Sequence, residues 1–173
     1  METSRLRIRP LGASDAEALH AIHELVGHGR AHRSLDELRT LYREMEAASD
    51  GDPGWHGFVL ELHSGLVIGD VGICVGQPEQ HQAEIGYSLH PRFWGAGYAS
   101  EALKSLLADM FSRRGLHRVV AVTVADNSAS RALLTRLGFR LEAHYASAFY
   151  DYRAERWVDS VGYALLASEW GAN

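Results

Sequence analysis

Two glycines, Gly95 and Gly97, stand between a strand-like and a helix-like stretch, and their position predicts a site for an anion. Residues 83–89 alternate apolar with polar side chains, as strands do, and Pro91 should end the strand because it cannot donate to a sheet ladder. The apolar stripe of residues 99–111 predicts a helix. The start of such a helix leaves backbone N–H groups without partners and carries the positive end of the helix dipole. A phosphate or pyrophosphate can bind there without any charged side chain.

Two other phosphate motifs do not fit this stretch. The pattern Gly95-x-Gly97-x-x-Ser100 lacks the third glycine or alanine of the dinucleotide fingerprint, and no acidic residue closes a following strand about twenty residues on. A P-loop needs lysine and then serine or threonine directly after its last glycine, whereas Lys104 lies well inside the helix. Spacing alone therefore leaves a phosphate site and an ordinary strand-to-helix turn equally open.

The stretch PRFWGAGYASEAL resembles the cofactor loop of the GNAT superfamily of N-acetyltransferases. The pattern of that family, Arg/Gln-x-x-Gly-x-Gly/Ala, is met by Arg92, Gly95 and Gly97. The tryptophan before the first glycine resembles the branch that includes ribosomal-protein N-terminal acetyltransferases. Two further segments agree with that branch: residues 127–139, NSASRALLTRLGF, and residues 157–165, WVDSVGYAL.

This resemblance implies an α/β fold, with a mixed, centrally splayed β-sheet flanked by helices, in a single domain over residues 1–173. It implies acetyl-CoA as co-substrate, with its pyrophosphate on the amides of the loop and its acyl arm in the gap between two splayed strands, and it implies no metal. The residues expected to contact the coenzyme are Leu89, His90, Arg92, Phe93, Trp94, Gly95, Ala96, Gly97, Tyr98, Ala99, Asn127 and Ser130.

The same resemblance supplies candidates for catalysis. Leu134 stands where many family members place a tyrosine, so Ser130 is the expected proton donor to the leaving thiolate, a modest demand because a free thiol has a pKa of about 8.5. A backbone N–H near Leu89 is the expected oxyanion donor. Glu84 is a candidate base acting through a water, although an amine that arrives neutral needs none. The other titratable candidates are Glu142, His90, His144, Tyr150 and Asp151.

Composition narrows the classes of function. A chain of 173 residues, 46% hydrophobic and 23% charged, fits one globular domain. Its net charge of −5 argues against a general nucleic-acid binder. The single cysteine, Cys74, allows no internal disulfide, and no apolar run approaches the length of a membrane span, so we expect a cytoplasmic protein away from membranes. Cys74 lies in an apolar strand pattern, which favours a core residue over a nucleophile.

Periodicity predicts the element order β-α-α-β-β-β-α-β-α-β-β. Capping boxes at Ser14 with Glu17 and at Ser34 with Glu37 predict the starts of the first two helices, which in the resembling family form part of the acceptor pocket. The first strands should be antiparallel, and the strands on either side of the glycine-loop helix should be parallel because a helical crossover joins them. The final hairpin offers an edge for a homodimer.

Two histidines of the first helix, His20 and His23, share a face that suits a metal pair. No cysteine or carboxylate cluster completes a ligand set, so a solvated or substrate-lining role is favoured.

The expected function is transfer of an acetyl group from acetyl-CoA to a primary amine, either a protein N-terminal α-amine or a small-molecule amine. A longer acyl donor and a non-catalytic acyl-CoA-binding sensor are the alternatives; the sensor would keep the glycine loop but lose Ser130 and any base. Basic residues of the cofactor half are expected near the coenzyme phosphates: Arg92, Lys104, Arg113, Arg114, Arg131 and Arg136. Acidic residues on the acceptor side would attract a cationic amine: Glu84, Glu142, Asp151 and Asp159.

Overall fold

The computed structural model describes residues 1–27, 32–48, 52–152 and 154–171. Its strands are β1 (Leu6–Pro10), β2 (Gly54–Leu62), β3 (Val67–Val75), β4 (Gln82–Leu89), β5 (Arg118–Val124), β6 (Arg140–Asp151) and β7 (Arg156–Leu166). Its α-helices are α1 (Ala16–Val26), α2 (Leu35–Ala47), α3 (Tyr98–Ala108) and α4 (Ser128–Arg136). The predicted order of elements is confirmed across these residues. None of the helices in the described part of the chain combines the length and the apolar character that a membrane span requires.

One seven-stranded mixed sheet runs through the molecule in the order β1-β2-β3-β4-β5-β7-β6. Each neighbouring pair is antiparallel except β4 and β5, which are parallel as the crossover predicted. The α/β fold with a mixed sheet is therefore confirmed.

The sheet splits at its centre. Strands β4 and β5 pair only over three residues each: Gln82–Glu84 of β4 lie beside Arg118–Val120 of β5. Beyond that point β4 stays on β3 as far as Leu89, and β5 stays on β7 as far as Val124. We call the resulting gap, between residues 85–89 and residues 121–124, the wedge. The expected splay of the sheet is thus present.

Gly69 helps to hold β4 on its own side of the wedge. A Cβ atom at this position would lie 2.2 Å from the backbone oxygen of Ser88, so only glycine lets β3 approach the end of β4 this closely.

Helix α3 covers one face of the sheet. Ala102, Leu103, Leu106 and Leu107 are buried and belong to the main core. The expectation of one regular helix over residues 99–111 is only partly right, because the α-helix ends at Ala108 and residues 109–113 form a π-helical turn. The five-residue spacing of that turn is marked by the Arg114 N–H, which donates to the Asp109 carbonyl at 3.1 Å.

Helices α1 and α2 cover the opposite face and form a second core, which includes Leu19, Leu38, Tyr42 and Val59. The capping box of Ser34 and Glu37 is confirmed.

The capping box predicted at Ser14 is wrong, because a 3-10 turn at residues 13–15 precedes α1. Asp15 accepts from the Gly12 N–H at 2.9 Å and from Arg9 at 2.7 Å, and these bonds fix the turn in place of a Ser14 cap.

Candidate active site

The loop between β4 and α3 exposes a row of backbone donors. Gly95 and Gly97 have φ angles of 72° and 84°, in the left-handed region that favours glycine. Gly97 is the N-cap of α3 and has no side chain to satisfy the first amides of the helix. Among the described residues, the N–H groups of residues 95–100 find no hydrogen-bond acceptor. The helix ladder begins only with Glu101, whose N–H donates to the Gly97 carbonyl at 3.0 Å.

Aromatic rings support this loop from the protein side. The Phe93 ring meets the His90 ring edge-on at 5.9 Å and the Tyr98 ring edge-on at 5.7 Å. His90 Nδ1 accepts from the Arg92 N–H at 3.2 Å, while the Arg92 side chain is exposed. Ala99 is half-buried against the main core. The predicted coenzyme residues of this stretch thus have two roles: some expose backbone N–H groups, and others pack beneath the loop and support it.

The edge of β4 that faces the wedge is a second row of donors. The His90 N–H donates to the Ile68 carbonyl of β3 at 2.8 Å. Because backbone groups alternate along a strand, the N–H groups of Leu89 and Tyr87 point the other way, towards the place that β5 has left. The Leu89 carbonyl on this edge accepts from Trp94 Nε1 at 2.6 Å. The expected oxyanion donor at Leu89 therefore lies on an open strand edge.

Two hydroxyl groups meet across the wedge. Asn127 caps α4, since its side-chain oxygen accepts from the Ser130 N–H at 3.0 Å. The Ser130 Oγ then lies 2.8 Å from the Tyr87 Oη of β4. Burial raises the pKa of Tyr87, against a smaller opposing effect of the Ser130 hydrogen bond, so the phenol keeps its proton at neutral pH. Sequence reasoning found Ser130 but missed Tyr87.

A turn at the start of the chain also touches the loop. Arg5 Nη1 donates to the Ala96 carbonyl at 2.9 Å, and the Arg5 guanidinium lies over the Tyr98 ring at 4.2 Å. Glu101, in the first turn of α3, accepts from Arg5 Nε and from the Thr3 hydroxyl, each at 2.6 Å. No sequence pattern linked residues so far apart, and the only signal was the alternation of arginines around Leu6 and Ile8.

The combination of a bare glycine loop and an open wedge agrees with the matching family. Residues 5–140 match the family model described as Acetyltransferase (GNAT) domain. The chain belongs to the GNAT acetyltransferase family. The resemblance inferred from the glycine loop is thereby confirmed, and the protein is an N-acetyltransferase by family.

Two curated relatives and one solved structure illustrate this GNAT membership. The chain is 30% identical to the uncharacterized N-acetyltransferase YoaA of Bacillus subtilis over 147 residues, which cover 82% of this chain and 83% of that protein. It is 33% identical to the ribosomal protein uS5-alanine N-acetyltransferase of Escherichia coli over 90 residues, covering 52% of this chain but only 45% of that protein. A chimera of the spermidine N-acetyltransferase SpeG from Vibrio cholerae and hSSAT superposes with a TM-score of 0.86 and 23% identity, covering 98% of this chain and 100% of that chain. At that identity the likeness establishes the fold alone.

Glu84, the candidate base of this GNAT domain, lies at the closed end of the wedge. It is the last residue of β4 that pairs with β5, and it stands opposite Cys74 of β3. At about 3.4 Å per residue, Glu84 is roughly 17 Å along the strand from Leu89, so it can reach an amine there only through a relay. Burial and the Glu84 charge raise the pKa of Cys74, which favours a neutral thiol and not a nucleophile.

The other titratable candidates have partners of their own. Glu142 pairs with Arg118 and Arg140; the Arg118 bond above all, against burial, lowers the pKa of Glu142 to about 2 and makes it a poor base. His144 Nε2 lies 3.0 Å from an Asp159 oxygen. The Tyr150 ring packs edge-on against Tyr152 and Trp157, and Asp151 accepts from the Ala154 N–H at 3.1 Å.

Of the basic residues expected near the coenzyme phosphates, some already have protein partners and others have exposed side chains. Arg113 and Arg114 both bind Asp109 of the π-helical turn. Arg131 donates to the Ala125 carbonyl at 3.0 Å. The side chains of Arg92, Lys104 and Arg136 are exposed.

A buried polar pair lies on the α1 side of the sheet, which we call the acceptor side. His23 Nε2 lies 2.9 Å from Asp70 Oδ1, and both side chains are nearly inaccessible to solvent. Asp70 stands opposite Ser88 of β4 in the strand register, close to the open edge of the wedge. His20 instead lies 3.9 Å from Glu24. Within the described ranges, no three His, Cys, Asp or Glu side chains are grouped closely enough to hold a metal.

Proposed function

We propose that this GNAT domain transfers an acetyl group from acetyl-CoA to a primary amine, by direct attack of the amine on the thioester. The observation that carries the proposal is the alignment of two sets of bare amides. One set, at residues 95–100, suits the pyrophosphate, and the other, at Tyr87 and Leu89, suits the amide-bearing arm of the coenzyme.

The arm fits the wedge because it takes the role of a missing strand. Where β5 leaves β4, the edge of β4 offers backbone N–H and C=O groups with the spacing of a sheet ladder. The amide-bearing arm, laid along this edge from the loop, brings the thioester carbonyl to the backbone N–H groups of the edge, among which that of Leu89 is the expected oxyanion donor. That donor then stabilises the negative charge that develops on the carbonyl oxygen.

The chemical step needs one bond to form and one to break. The amine nitrogen attacks the thioester carbon, and the carbon–sulfur bond then breaks as the thiolate leaves. Ser130 gives the thiolate a proton and at the same time receives one from Tyr87, whose hydroxyl lies 2.8 Å away; Tyr87 then regains its proton from solvent. The amine loses its surplus proton to water, with Glu84 as the candidate acceptor through a water relay.

The acceptor is proposed to be a cationic amine. The acceptor side carries the carboxylates of Asp70 and Glu84, and the chain has a net charge of −5, so the field favours a positively charged partner. Both a protein N-terminal α-amine and a small polyamine meet that condition, and the names of the relatives include both kinds.

The test is a thiol-release assay with acetyl-CoA across a panel of spermidine, amino sugars and short peptides with free N-terminal alanine or serine. Isothermal titration with CoA runs beside it. Release with at least one amine supports the proposal, and the preferred member identifies the acceptor class. CoA binding without release from any acceptor or any longer acyl-CoA would favour the sensor alternative, and absence of CoA binding would overturn both.

A further inference from the structure

The turn of Thr3, Ser4 and Arg5, which we call the N-terminal turn, is fastened to the first turn of α3. One carboxylate oxygen of Glu101 accepts from the Thr3 hydroxyl at 2.6 Å, from the Ser4 hydroxyl at 3.0 Å and from the Arg5 N–H at 2.9 Å. The other oxygen accepts from Arg5 Nε at 2.6 Å. Because both oxygens of this carboxylate accept hydrogen bonds from the turn, the turn is held in one position relative to the glycine loop.

Arg5 is fixed on three sides. Nε binds Glu101, Nη1 binds the Ala96 carbonyl, and the guanidinium plane lies over the Tyr98 ring. Nη2 has no acceptor among the described residues, and it lies 3.4 Å from the place where a Cβ on Gly97 would stand. A preorganised donor with a positive charge thus flanks the bare amides.

Glu101 by itself would be unfavourable to a coenzyme. Its carboxylate lies in the first turn of α3, in the same positive field that a pyrophosphate would use. An uncompensated negative charge there would repel the phosphates, and Arg5 neutralises it.

We propose that Arg5 is a ligand of the coenzyme pyrophosphate, held in place by Glu101, an inference that rests on the proposed function. The Nη2 group donates to a phosphate oxygen beside Gly97, while Nε and Nη1 keep the guanidinium in register with the loop. The glycine loop is therefore completed by a segment more than ninety residues away in sequence, since Arg5 and Ala96 are separated by 91 positions.

The central experiment measures CoA affinity by isothermal titration for the wild type, Arg5→Ala, Arg5→Lys, Glu101→Gln and the double variant Arg5→Ala/Glu101→Gln. Arg5→Ala should weaken CoA binding roughly 10- to 100-fold, since hydrogen bonds to charged groups contribute about 1.5–3 kcal/mol. Arg5→Lys should fall between, because an ammonium keeps the charge but not the planar fork. The double variant should bind better than Arg5→Ala alone, since it also removes the uncompensated carboxylate.

Two further probes locate the contact. The Arg5→Ala substitution should weaken the binding of dephospho-CoA, which lacks the 3′-phosphate, by the same factor as it weakens the binding of CoA. It should leave the binding of pantetheine, which lacks all phosphates, as it is in the wild type. In turnover the Michaelis constant for acetyl-CoA should rise while kcat at saturation stays close to that of the wild type. Loss of affinity for CoA but not for dephospho-CoA would overturn the pyrophosphate assignment.

Arg7→Ala is the matched control, because Arg7 lies two residues on, in β1, and pairs with Glu2 and Glu61 away from the loop. Its CoA affinity should equal that of the wild type. Arg5→Ala that binds CoA as tightly as the wild type would overturn this inference and leave the proposed function standing. A wild type that binds no CoA would instead overturn the proposed function. If Arg5→Ala does not fold, Arg5→Lys and Glu101→Gln carry the same comparison.

Discussion

Around Gly97 the backbone supplies the functional groups, whereas around Asp70 side chains supply them. The loop offers bare amides at residues 95–100 on a frame of left-handed glycines. The acceptor side offers the buried pair of His23 and Asp70, brought together from α1 and β3. One half of the proposed site offers backbone donors that suit an anion, and the other is a set of polar side chains under two covering helices.

This difference explains why one half of the site indicates its ligand and the other does not. Amides at a helix start bind phosphate whatever the side chains are, so the coenzyme follows from the backbone. Selection of an amine depends on which side chains line the pocket and at what distance, and small changes there alter the acceptor. The acetyl donor can thus be inferred from the family, whereas the amine acceptor depends on the side chains of this particular chain.

The largest effect is expected at Gly97. Gly97→Ala should weaken CoA binding by about two orders of magnitude, since the added methyl group stands among the amides and disturbs several hydrogen bonds to phosphate, each worth about 1.5–3 kcal/mol. The left-handed backbone should also cost about 1–2 kcal/mol of stability. Titration with CoA and thermal unfolding measure the two effects separately.

Gly115→Ala is the control for that prediction. Gly115 also has a positive φ, 65°, and no atom within 4 Å of an added Cβ, but it lies beyond the opposite end of α3. It should lose similar stability and no CoA affinity. Equal CoA affinity in the two variants would show that the loop amides do not bind the coenzyme.

A substitution on the acceptor side should have the opposite pattern, with a loss of stability and little change in CoA affinity. Asp70→Asn should lower the free energy of unfolding by about 2 kcal/mol, because it weakens a buried hydrogen bond to a charged group. CoA affinity should stay within about twofold, well under the tenfold that 1.4 kcal/mol represents. Chemical denaturation and CoA titration of the same sample check both parts.

Asp36→Asn is the comparison for Asp70, since the Asp36 side chain is 92% exposed and pairs with Arg39 on the surface of α2. Its effect on stability should stay below about 0.5 kcal/mol. A large loss of CoA affinity in Asp70→Asn would mean that the two halves of the site are not separable in the way we describe.

Sequence reasoning reached the features that depend on local patterns. Alternation and apolar stripes gave the element order, and the crossover gave the parallel pairing of β4 and β5. Gly95, Gly97 and the Asn127 cap also followed, because turn chemistry is local. The Ser14 cap failed because Asp15, and not Glu17, supplies the carboxylate at this helix start, where it accepts from Arg9 and from the Gly12 N–H.

Contacts between distant residues were out of reach of those patterns. Tyr87 was read only as a strand residue, yet it meets Ser130 from 43 positions away. The alternation of arginines around Leu6 and Ile8 predicts a solvent-facing side chain for Arg5, yet it binds Glu101. Both depend on how the wedge and α3 are placed, which periodicity does not specify.

The two hydroxyls across the wedge should have a moderate effect on turnover. Ser130→Ala should lower kcat about tenfold and leave CoA affinity nearly unchanged, because a thiol with a pKa of about 8.5 needs little help to leave. Tyr87→Phe should lower kcat less, since Ser130 can still exchange protons with solvent. Initial rates at saturating acetyl-CoA, with titration of each variant, make the comparison. Wild-type turnover in Ser130→Ala would remove that residue from the mechanism.

The charge of Glu101 should affect stability and not turnover, and its effect should depend on pH. Burial alone would raise the pKa of this carboxyl group, but the hydrogen bonds from Thr3, Arg5 and Ser4 together lower it from 4.5 to about 2. A group whose pKa is lower in the folded state stabilises the fold above its unfolded pKa, and the contribution disappears as the pH falls through the folded value. The difference in unfolding free energy between the wild type and Glu101→Gln should therefore be constant from pH 7 to about pH 5 and shrink between pH 4.5 and pH 2. Denaturation at pH 7, 4 and 2.5 tests this. A difference that does not change with pH would mean that the N-terminal turn holds Glu101 by geometry alone, without selecting its ionised form.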